Sequence, residues 1–219
     1  MKHVPLVLAV AAAAAVAAAA VTGCANPARS RDLANPAVAP RVIAQQVCAA
    51  CHGVTGISIS PNFPNLAAQM PAYLAAQLKE FKSHDRSDPA GFEYMWGLSR
   101  SLTDEQIAGL ADYYAHQAPA HAGRATADAA RLAAGDKLFH EGVAGKGVPP
   151  CMACHGDHGQ GNEAFPRLAG QHADYVMKQL IVFQRGDERP QGAVMKVIAH
   201  DLTRVDIENV ATYVESLTH

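Results

Sequence analysis

The sequence predicts an all-α protein built from two small helical domains in tandem, and three observations lead to that prediction. The phrase CAACHG at residues 48–53 returns as CMACHG at residues 151–156. Other residues around the two phrases match in the same order, so the phrases belong to a longer internal repeat. Apolar residues recur at helical spacing, and the sequence lacks the strict alternation that is typical of strands.

The internal repeat extends well beyond the two cysteine phrases. Residues 63–66 (FPNL) correspond to residues 165–168 (FPRL). The register then shifts slightly before the last matches, where connecting loops can absorb the difference. The sequence therefore predicts one domain at residues 41–118 and a second at residues 119–219. The other matched pairs include Gln69/Gln171, Tyr73/Tyr175, Gln77/Gln179, Leu78/Leu180, Phe81/Phe183, Met95/Met195 and Ile107/Ile207.

Each half carries signals for the same set of helices. Thr103 begins a capping box that ends at Gln106, and Thr203 is its counterpart in the second half. Apolar residues follow both threonines at the spacing of one helix face. Further helices are predicted at residues 42–47, 73–82, 127–140 and 175–184.

The N-terminus has the features of an export signal. Residues 4–21 contain no polar side chain and follow Lys2 and His3, so residues 1–23 are predicted to be a signal peptide outside the fold. The sequence VTGC that ends at Cys24 resembles a bacterial lipobox, in which the cysteine is lipidated and becomes the new N-terminus. Ordinary cleavage that leaves a free thiol and an uncleaved membrane anchor are the alternatives. All three predict a mature chain beyond the inner membrane.

Residues 24–40 are predicted to be a flexible tether, because they contain prolines and no apolar periodicity. The formal net charge of the chain is −2, and no basic run occurs in it. This charge pattern argues against a nucleic-acid partner. The mature protein is therefore expected to be a globular body held near a membrane.

The Cys-x-x-Cys-His motif predicts covalent haem attachment in each half. Two thiols on one helical turn can add to the two vinyl groups of a haem, and the next histidine can bind the iron. A structural zinc site wants four ligands, and neither half offers another cysteine. A thioredoxin-like disulfide needs a surrounding sheet, for which no strand pattern exists. Two covalently bound haem c groups are therefore predicted. The attachment residues are Cys48, Cys51 and His52 in the first half and Cys151, Cys154 and His155 in the second.

The second axial ligand of each iron is predicted to be methionine. Outside the two motifs, no histidine has a histidine counterpart in the other half, whereas Met95 and Met195 correspond. Methionine is also a common core residue, and that alternative stays open. Histidine–methionine ligation raises the iron potential and fills both axial positions, which suits electron transfer better than substrate binding.

Together these motifs resemble the diheme cytochrome c4 family. The first half matches through CAACHG, NFPNLAAQ and the methionine before LTDEQIAGLADYY, and the second through CMACHG, FPRLAGQ and the methionine before DLTRVDIENVATYV. The resemblance covers residues 41–219. It implies two cytochrome c domains related by a pseudo-twofold axis, with their haem edges close together. It also implies that Pro64 and Pro166 offer carbonyl groups to the rings of His52 and His155.

The function that the resemblance implies is periplasmic one-electron transfer from respiratory donors to a terminal oxidase or reductase, without enzymatic activity. The expected partners are redox proteins, including a membrane-bound oxidase or oxidoreductase, and the lipid on Cys24 would tether the protein to the membrane. Two alternatives stay open. One is a diheme enzyme, either a peroxidase or a sulfur-compound dehydrogenase. The other is a cytochrome subunit of a larger dehydrogenase.

Overall fold

The first domain is a set of helices that begins with one continuous helical stretch. The structure is a computed structural model that describes residues 26–89, 91–120 and 128–218. After a short 3-10 turn (Pro27–Arg29), the continuous stretch comprises α1 (Pro40–Ile43), a π-helical turn (Ala44–Cys48) and α2 (Ala49–His52). It is followed by α3 (Pro71–Ser83), a second π-helical turn (Gly91–Met95), α4 (Trp96–Ser99) and α5 (Asp104–Ala115).

The second domain repeats this order with a longer first helix. Its elements are α6 (Ala129–Glu141), a 3-10 turn (Ala144–Lys146), α7 (Met152–His155), α8 (Ala173–Arg185), a 3-10 turn (Pro190–Gly192), α9 (Ala193–Ala199) and α10 (Arg204–Ser216). Across the described ranges, strand-like pairing is limited to two isolated bridges, Val143 with Val148 and Asn162 with Phe165. The predicted all-α fold class is confirmed.

The predicted helix signals lie where the helices begin. The Thr103 hydroxyl accepts a hydrogen bond from the Gln106 amide at 3.1 Å, and the Gln106 side chain accepts one from the Thr103 amide at 3.0 Å. Thr203 and Asp206 form the same box at the start of α10. The stretch predicted at residues 42–47 is part of the longer helical stretch, because a π-helical turn interrupts its periodicity. Residue 127, where another helix is expected to begin, lies outside the described residues.

Each domain has its own apolar core, and in each domain a glycine lets the first and last helices approach closely. A Cβ on Gly135 of α6 would lie 2.2 Å from the carbonyl oxygen of Asn209 on α10. In the first domain, a Cβ on Gly109 of α5 would lie 2.4 Å from Cγ of Pro40 on α1. The helix crossing therefore depends on a glycine in both domains. The fully buried residues of the two cores include Ile43, Ile107 and Leu110 in the first, and Phe139, Ile207 and Val214 in the second.

The later part of the predicted tether packs on the first domain, and this corrects the prediction. Val38 is buried in the first core and Leu33 packs against that core. The Gln106 side chain donates hydrogen bonds to the carbonyls of Asn35 and Val38, at 3.1 and 3.0 Å. Irregular backbone held by a distant side chain leaves no periodic pattern in the sequence.

The N-terminal predictions reach beyond the part of the chain that the structure describes. The predicted signal peptide and Cys24 lie outside it. No helix within residues 26–89, 91–120 and 128–218 combines the length and hydrophobicity of a membrane span.

Candidate functional site

Both haem-attachment motifs lie at the end of a short helix. His52 ends α2 and His155 ends α7, so each histidine shares a helical turn with its cysteines. Gly53 and Gly156 follow, with positive φ angles of 75° and 85°. A Cβ on Gly53 would lie 2.2 Å from the carbonyl oxygen of Ile57. The final glycine of each phrase therefore lets the chain leave the helix directly after the histidine.

The two histidine rings are supported in the same way. Nδ1 of His52 lies 2.9 Å from the carbonyl oxygen of Pro64, and Nδ1 of His155 lies 2.8 Å from that of Pro166. These are the contacts that the resemblance implies. Because a carbonyl only accepts, Nδ1 carries the proton and Nε2 keeps the lone pair that can bind iron. Burial lowers the pKa of both histidines, which favours the neutral ring that ligation requires.

The cysteines of both motifs are available for thioether bonds to haem. Before haem is attached, burial raises the pKa of Cys48 and of Cys151 to about 11. Among the described residues, no group of three or more His, Cys, Asp or Glu side chains is arranged to hold a metal ion. Within residues 26–89, 91–120 and 128–218, the four cysteines Cys48, Cys51, Cys151 and Cys154 form no disulfide.

The two candidate methionine ligands lie in corresponding segments. Met95 closes the π-helical turn before α4, and Met195 lies in α9. Both side chains are half-buried, and Met195 packs against the second core. The hydroxyl of Ser99 donates to the carbonyl of Met95 at 2.7 Å and holds that turn. Ligation of iron by the two methionines stays a prediction.

Two glutamines, which we call the glutamine hooks, join the histidine-supporting loops of the two domains. The Gln171 side chain accepts from the Asn65 amide at 2.8 Å and donates to the Asn65 carbonyl at 2.9 Å. Gln69 makes the equivalent bonds to the Arg167 amide and carbonyl, at 2.6 and 3.0 Å. Asn65 and Arg167 directly follow the prolines that support the histidines. The two haem sites are therefore connected through a hydrogen-bonded, pseudo-twofold contact.

A buried group of side chains, which we call the arginine cluster, forms another part of the interface. Arg86 of the first domain donates to Gln77 at 2.6 Å and across the interface to Gln179 at 3.3 Å. Arg189 of the second domain donates to Gln179 and across the interface to Gln77, both at 2.7 Å. The repeat identifies the two glutamines as a matched pair, but sequence reasoning missed the arginines. The cluster consists of Arg86, Arg189, Gln77, Gln179, Asp88 and Glu80.

The carboxylates of the arginine cluster come only from the first domain. Asp88 is fully buried and pairs with Arg86 at 2.6 Å. Burial by itself raises the pKa of Asp88, but the hydrogen bond and charge of Arg86 hold it below its usual range. Burial raises the pKa of Glu80, against the opposing charge of Arg189. Val182, which corresponds to Glu80 in the second domain, carries no charge.

Arg167 fits a bound haem as the counter-charge of a carboxylate. Its side chain is buried directly after Pro166, and its Nη2 has no hydrogen-bond partner in the described part of the chain. Burial lowers the pKa of Arg167, as expected for a cation removed from water without a partner. Haem carries two propionate carboxylates, and a buried guanidinium in the loop that supports His155 is suited to one of them. The first domain has the neutral Asn65 at this position.

Known proteins share this architecture. The cytochrome c family model matches residues 39–117 and 132–218. A cytochrome c4 of Azotobacter vinelandii is 38% identical, over 78% of this chain and 84% of its own. A thiosulfate dehydrogenase electron acceptor of Thiomonas intermedia is 32% identical, over 76% of both chains. The solved structure of Acidithiobacillus ferrooxidans cytochrome c4 has a TM-score of 0.72 and 39% identity, over 78% of this chain and 98% of that one.

These matches establish what the two motifs hold. Each cytochrome c match contains one complete attachment motif, so the chain carries two covalently bound haem c groups. The bound haem supplies reversible one-electron chemistry, while the protein orients the two histidines and excludes water from them. From its paired domains and its identity to cytochromes c4 over most of its length, the chain belongs to the diheme cytochrome c4 family, a family of electron carriers.

Proposed function

We propose that this electron carrier works in the periplasm, where it takes electrons from respiratory donors and passes them to a membrane-bound terminal oxidase or reductase. In this role it has no enzymatic activity of its own. The observation that carries the proposal is the pair of glutamine hooks, Gln69 and Gln171, which joins the two histidine-supporting loops directly. A direct hydrogen-bonded contact between the sites would let one domain receive electrons and the other deliver them.

Ligation of both irons by methionine, as predicted, would favour a carrier over an enzyme. The two histidines have the same carbonyl support, and Met95 and Met195 lie in corresponding half-buried segments. With methionine as the second axial ligand, peroxide or a sulfur compound finds no open position. Electron exchange then proceeds without binding a substrate at the iron.

The N-terminal segment supports attachment to the periplasmic side of a membrane. An apolar stretch at residues 4–21 is followed by the lipobox-like sequence that ends at Cys24. Leu33 and Val38 pack on the first domain soon after this position. A lipid on Cys24 would therefore hold the first domain close to the membrane surface and its oxidase.

A second candidate function is that of electron acceptor for a sulfur-compound dehydrogenase. The relative from Thiomonas intermedia is named a thiosulfate dehydrogenase electron acceptor. In this role the chain would accept single electrons from a separate catalytic protein. Its own haem sites would keep the same coordination as in the first proposal.

Two assays on the intact diheme protein separate these functions. In the first, chemically reduced protein is added to bacterial membranes that contain a terminal oxidase, and the haem absorbance is followed. We expect cyanide-sensitive reoxidation, and reoxidation no faster than in buffer contradicts the oxidase role. In the second, oxidised protein is mixed with thiosulfate and a purified thiosulfate dehydrogenase. Reduction that requires both supports the acceptor function, whereas catalytic peroxide consumption contradicts the carrier function itself.

A further inference from the structure

His172 bridges the two domains at the start of α8. Its Nε2 lies 3.0 Å from the carbonyl oxygen of Ser58 in the first domain, and its Nδ1 lies 3.5 Å from Oε1 of Glu215 on α10. The side chains of His172 and Glu215 are 19% and 24% exposed, so water reaches neither freely. The matching position in the first domain is Met70. The pseudo-twofold axis therefore relates this histidine to a residue that cannot titrate.

Both groups that face the His172 ring are hydrogen-bond acceptors. The Ser58 carbonyl has no proton, and the hydrogen bond from His172 lowers the pKa of Glu215, which is therefore ionised at neutral pH. A neutral imidazole has one N–H, so only the imidazolium can donate to both groups. The hydrogen bond to Glu215 raises the pKa of His172, against the effect of burial.

The charges around His172 come from two helices of the second domain. Glu215 on α10 and Asp174 on α8 both favour the charged ring. On the first-domain side, the loop of residues 53–60 contains no ionisable side chain. That loop therefore contributes only the dipole of the Ser58 carbonyl. The surroundings of the ring supply negative charge, and they are arranged for an imidazolium.

Ser58 connects this bridge to the first haem site. Its hydroxyl oxygen lies 2.9 Å from the carbonyl oxygen of Cys51 in the attachment turn. Its amide donates to Oδ1 of Asn65 at 2.8 Å, and Asn65 directly follows the proline that supports the first histidine. Gly161 takes the place of Ser58 in the second domain and has no side chain. His172 is therefore connected through Ser58 to two parts of the first haem site.

We propose that His172 is a positioning residue for the first haem site, supplied by the second domain and effective in its imidazolium form. Protonation completes the bridge between Glu215 and Ser58 and adds a positive charge beside the first site. Deprotonation removes the charge of the ring, and the neutral ring can no longer serve both Ser58 and the ion pair with Glu215. The reduction potential of the first haem is therefore linked to the proton on His172, and the second haem serves as the internal reference.

The direction of this linkage follows from the raised pKa of His172. The bridge and its stabilising contribution are fully present below the ordinary histidine pKa, and they are lost as pH rises through the raised value. Loss of a positive charge disfavours the reduced haem, so the potential of the first haem falls as pH rises. Reduction of that haem strengthens proton binding at His172 by the same factor. We expect a factor of about five, which corresponds to about 41 mV at 59 mV per tenfold for one electron.

The test is a redox titration of the intact diheme protein at a series of pH values, with the two haems assigned from their NMR signals. In the unaltered protein, the potential of the first haem should fall across the titration of His172. His172→Met installs the residue that the first domain carries at this position, and it should abolish the fall. Glu215→Gln keeps the shape of the side chain, and it should move the fall to lower pH.

The matched control is His116→Met, which removes an exposed histidine bonded to Asp112 within its own helix. This control should leave the pH dependence unchanged. An identical fall in the unaltered protein and in His172→Met would overturn the proposal, and so would a fall confined to the second haem. Should the methionine variant fail to fold, Glu215→Gln decides, because a pH dependence that does not move overturns the proposal.

Discussion

The two domains build their haem sites alike but contribute unequally to the interface between them. Both hold the histidine ring through a proline carbonyl, at 2.9 and 2.8 Å, and each contributes one glutamine hook. The buried charges differ. The first domain contributes Arg86 with Asp88 and Glu80, whereas the second contributes Arg189 and Arg167. The histidine supports of the two haem sites are thus copies of each other, while the interface is complementary in charge.

This difference in buried charge explains why a first domain pairs with a second domain, although the two domains are duplicates. In an interface between two second domains, two copies of Arg189 would meet without the carboxylates of Asp88 and Glu80. With Asp88 and Glu80 on one side only, the charge of Arg189 is offset across the interface by the first domain. Pairing of two second domains would bring like charges together, which disfavours that assembly. Charge asymmetry therefore supplies specificity that the repeat itself lacks.

Loss of haem attachment in one domain should have the largest effect. Cys151→Ala combined with Cys154→Ala should destabilise the second domain by more than about 5 kcal/mol, because the cofactor completes the core of a small domain. The first domain should keep its haem and stay folded. Thermal unfolding, followed by circular dichroism and haem absorbance, measures the stability of each domain and the retention of its haem. The matched pair Cys48→Ala and Cys51→Ala should reverse the pattern, and equal stability of the two domains in either variant would contradict this prediction.

Removal of the Arg189 charge should separate the domains. Arg189→Met leaves Glu80 and Asp88 buried with less positive charge around them, and we expect a loss of about 3–5 kcal/mol. Denaturant unfolding should then show two transitions, one for each domain. Arg204→Met is the control, since its ion pair with Glu208 is exposed and contributes about 0–1 kcal/mol. A single transition with an unchanged midpoint in Arg189→Met would refute this role.

The two glutamine hooks should contribute equally to the stability of the interface between the domains. Gln69→Ala and Gln171→Ala each leave a buried backbone N–H and C=O without partners, at a cost of about 1–3 kcal/mol. Both should also slow electron exchange between the haems, as measured by stopped-flow spectroscopy. Gln184→Ala is the control, because its side chain bonds only backbone carbonyls of its own domain. Clearly unequal costs would show that the hooks are not related by symmetry.

Replacement of Arg167 by asparagine, the residue at the matching position of the first domain, should lower the reduction potential of the second haem. Arg167→Asn removes a buried positive charge beside the second motif, which disfavours the reduced haem there. A unit charge at roughly 10 Å in an effective dielectric of about 20 contributes about 1.7 kcal/mol, so we expect a shift of about 1–2 kcal/mol. Redox titration of the two haems measures it. Arg131→Asn, at an exposed position on α6, should change neither potential. An equal shift of both haems in Arg167→Asn would contradict the assignment.

Replacement of Cys24, the proposed lipidation site, should affect neither domain. Cys24→Ser should release a soluble protein with both haems intact and with unfolding midpoints unchanged. Membrane fractionation and mass spectrometry of the N-terminus check this outcome. An unaltered protein that is already soluble, with an unmodified N-terminus at another residue, would rule out the lipid anchor.

The sequence predicts helices best where the signal is local. The capping threonines and the apolar residues that follow them lie within a few turns of each other, and α5 and α10 begin as expected. The tether shows the opposite case. Val38 is buried because Gln106, distant in the chain, holds the backbone before α1. A contact of this kind leaves no periodic pattern in the sequence, so the sequence predicted a flexible segment.

The sequence by itself determined the internal repeat, the two haem-attachment turns and the helix caps, because each depends on residues close together in the chain. Only the tertiary structure decided the glutamine hooks, the arginine cluster and the bridge from His172 to Ser58. Their hydrogen bonds across the interface join residues that are 91 to 114 positions apart. A hydrogen bond depends on distance and direction within about 3 Å, and those are set only when two domains pack.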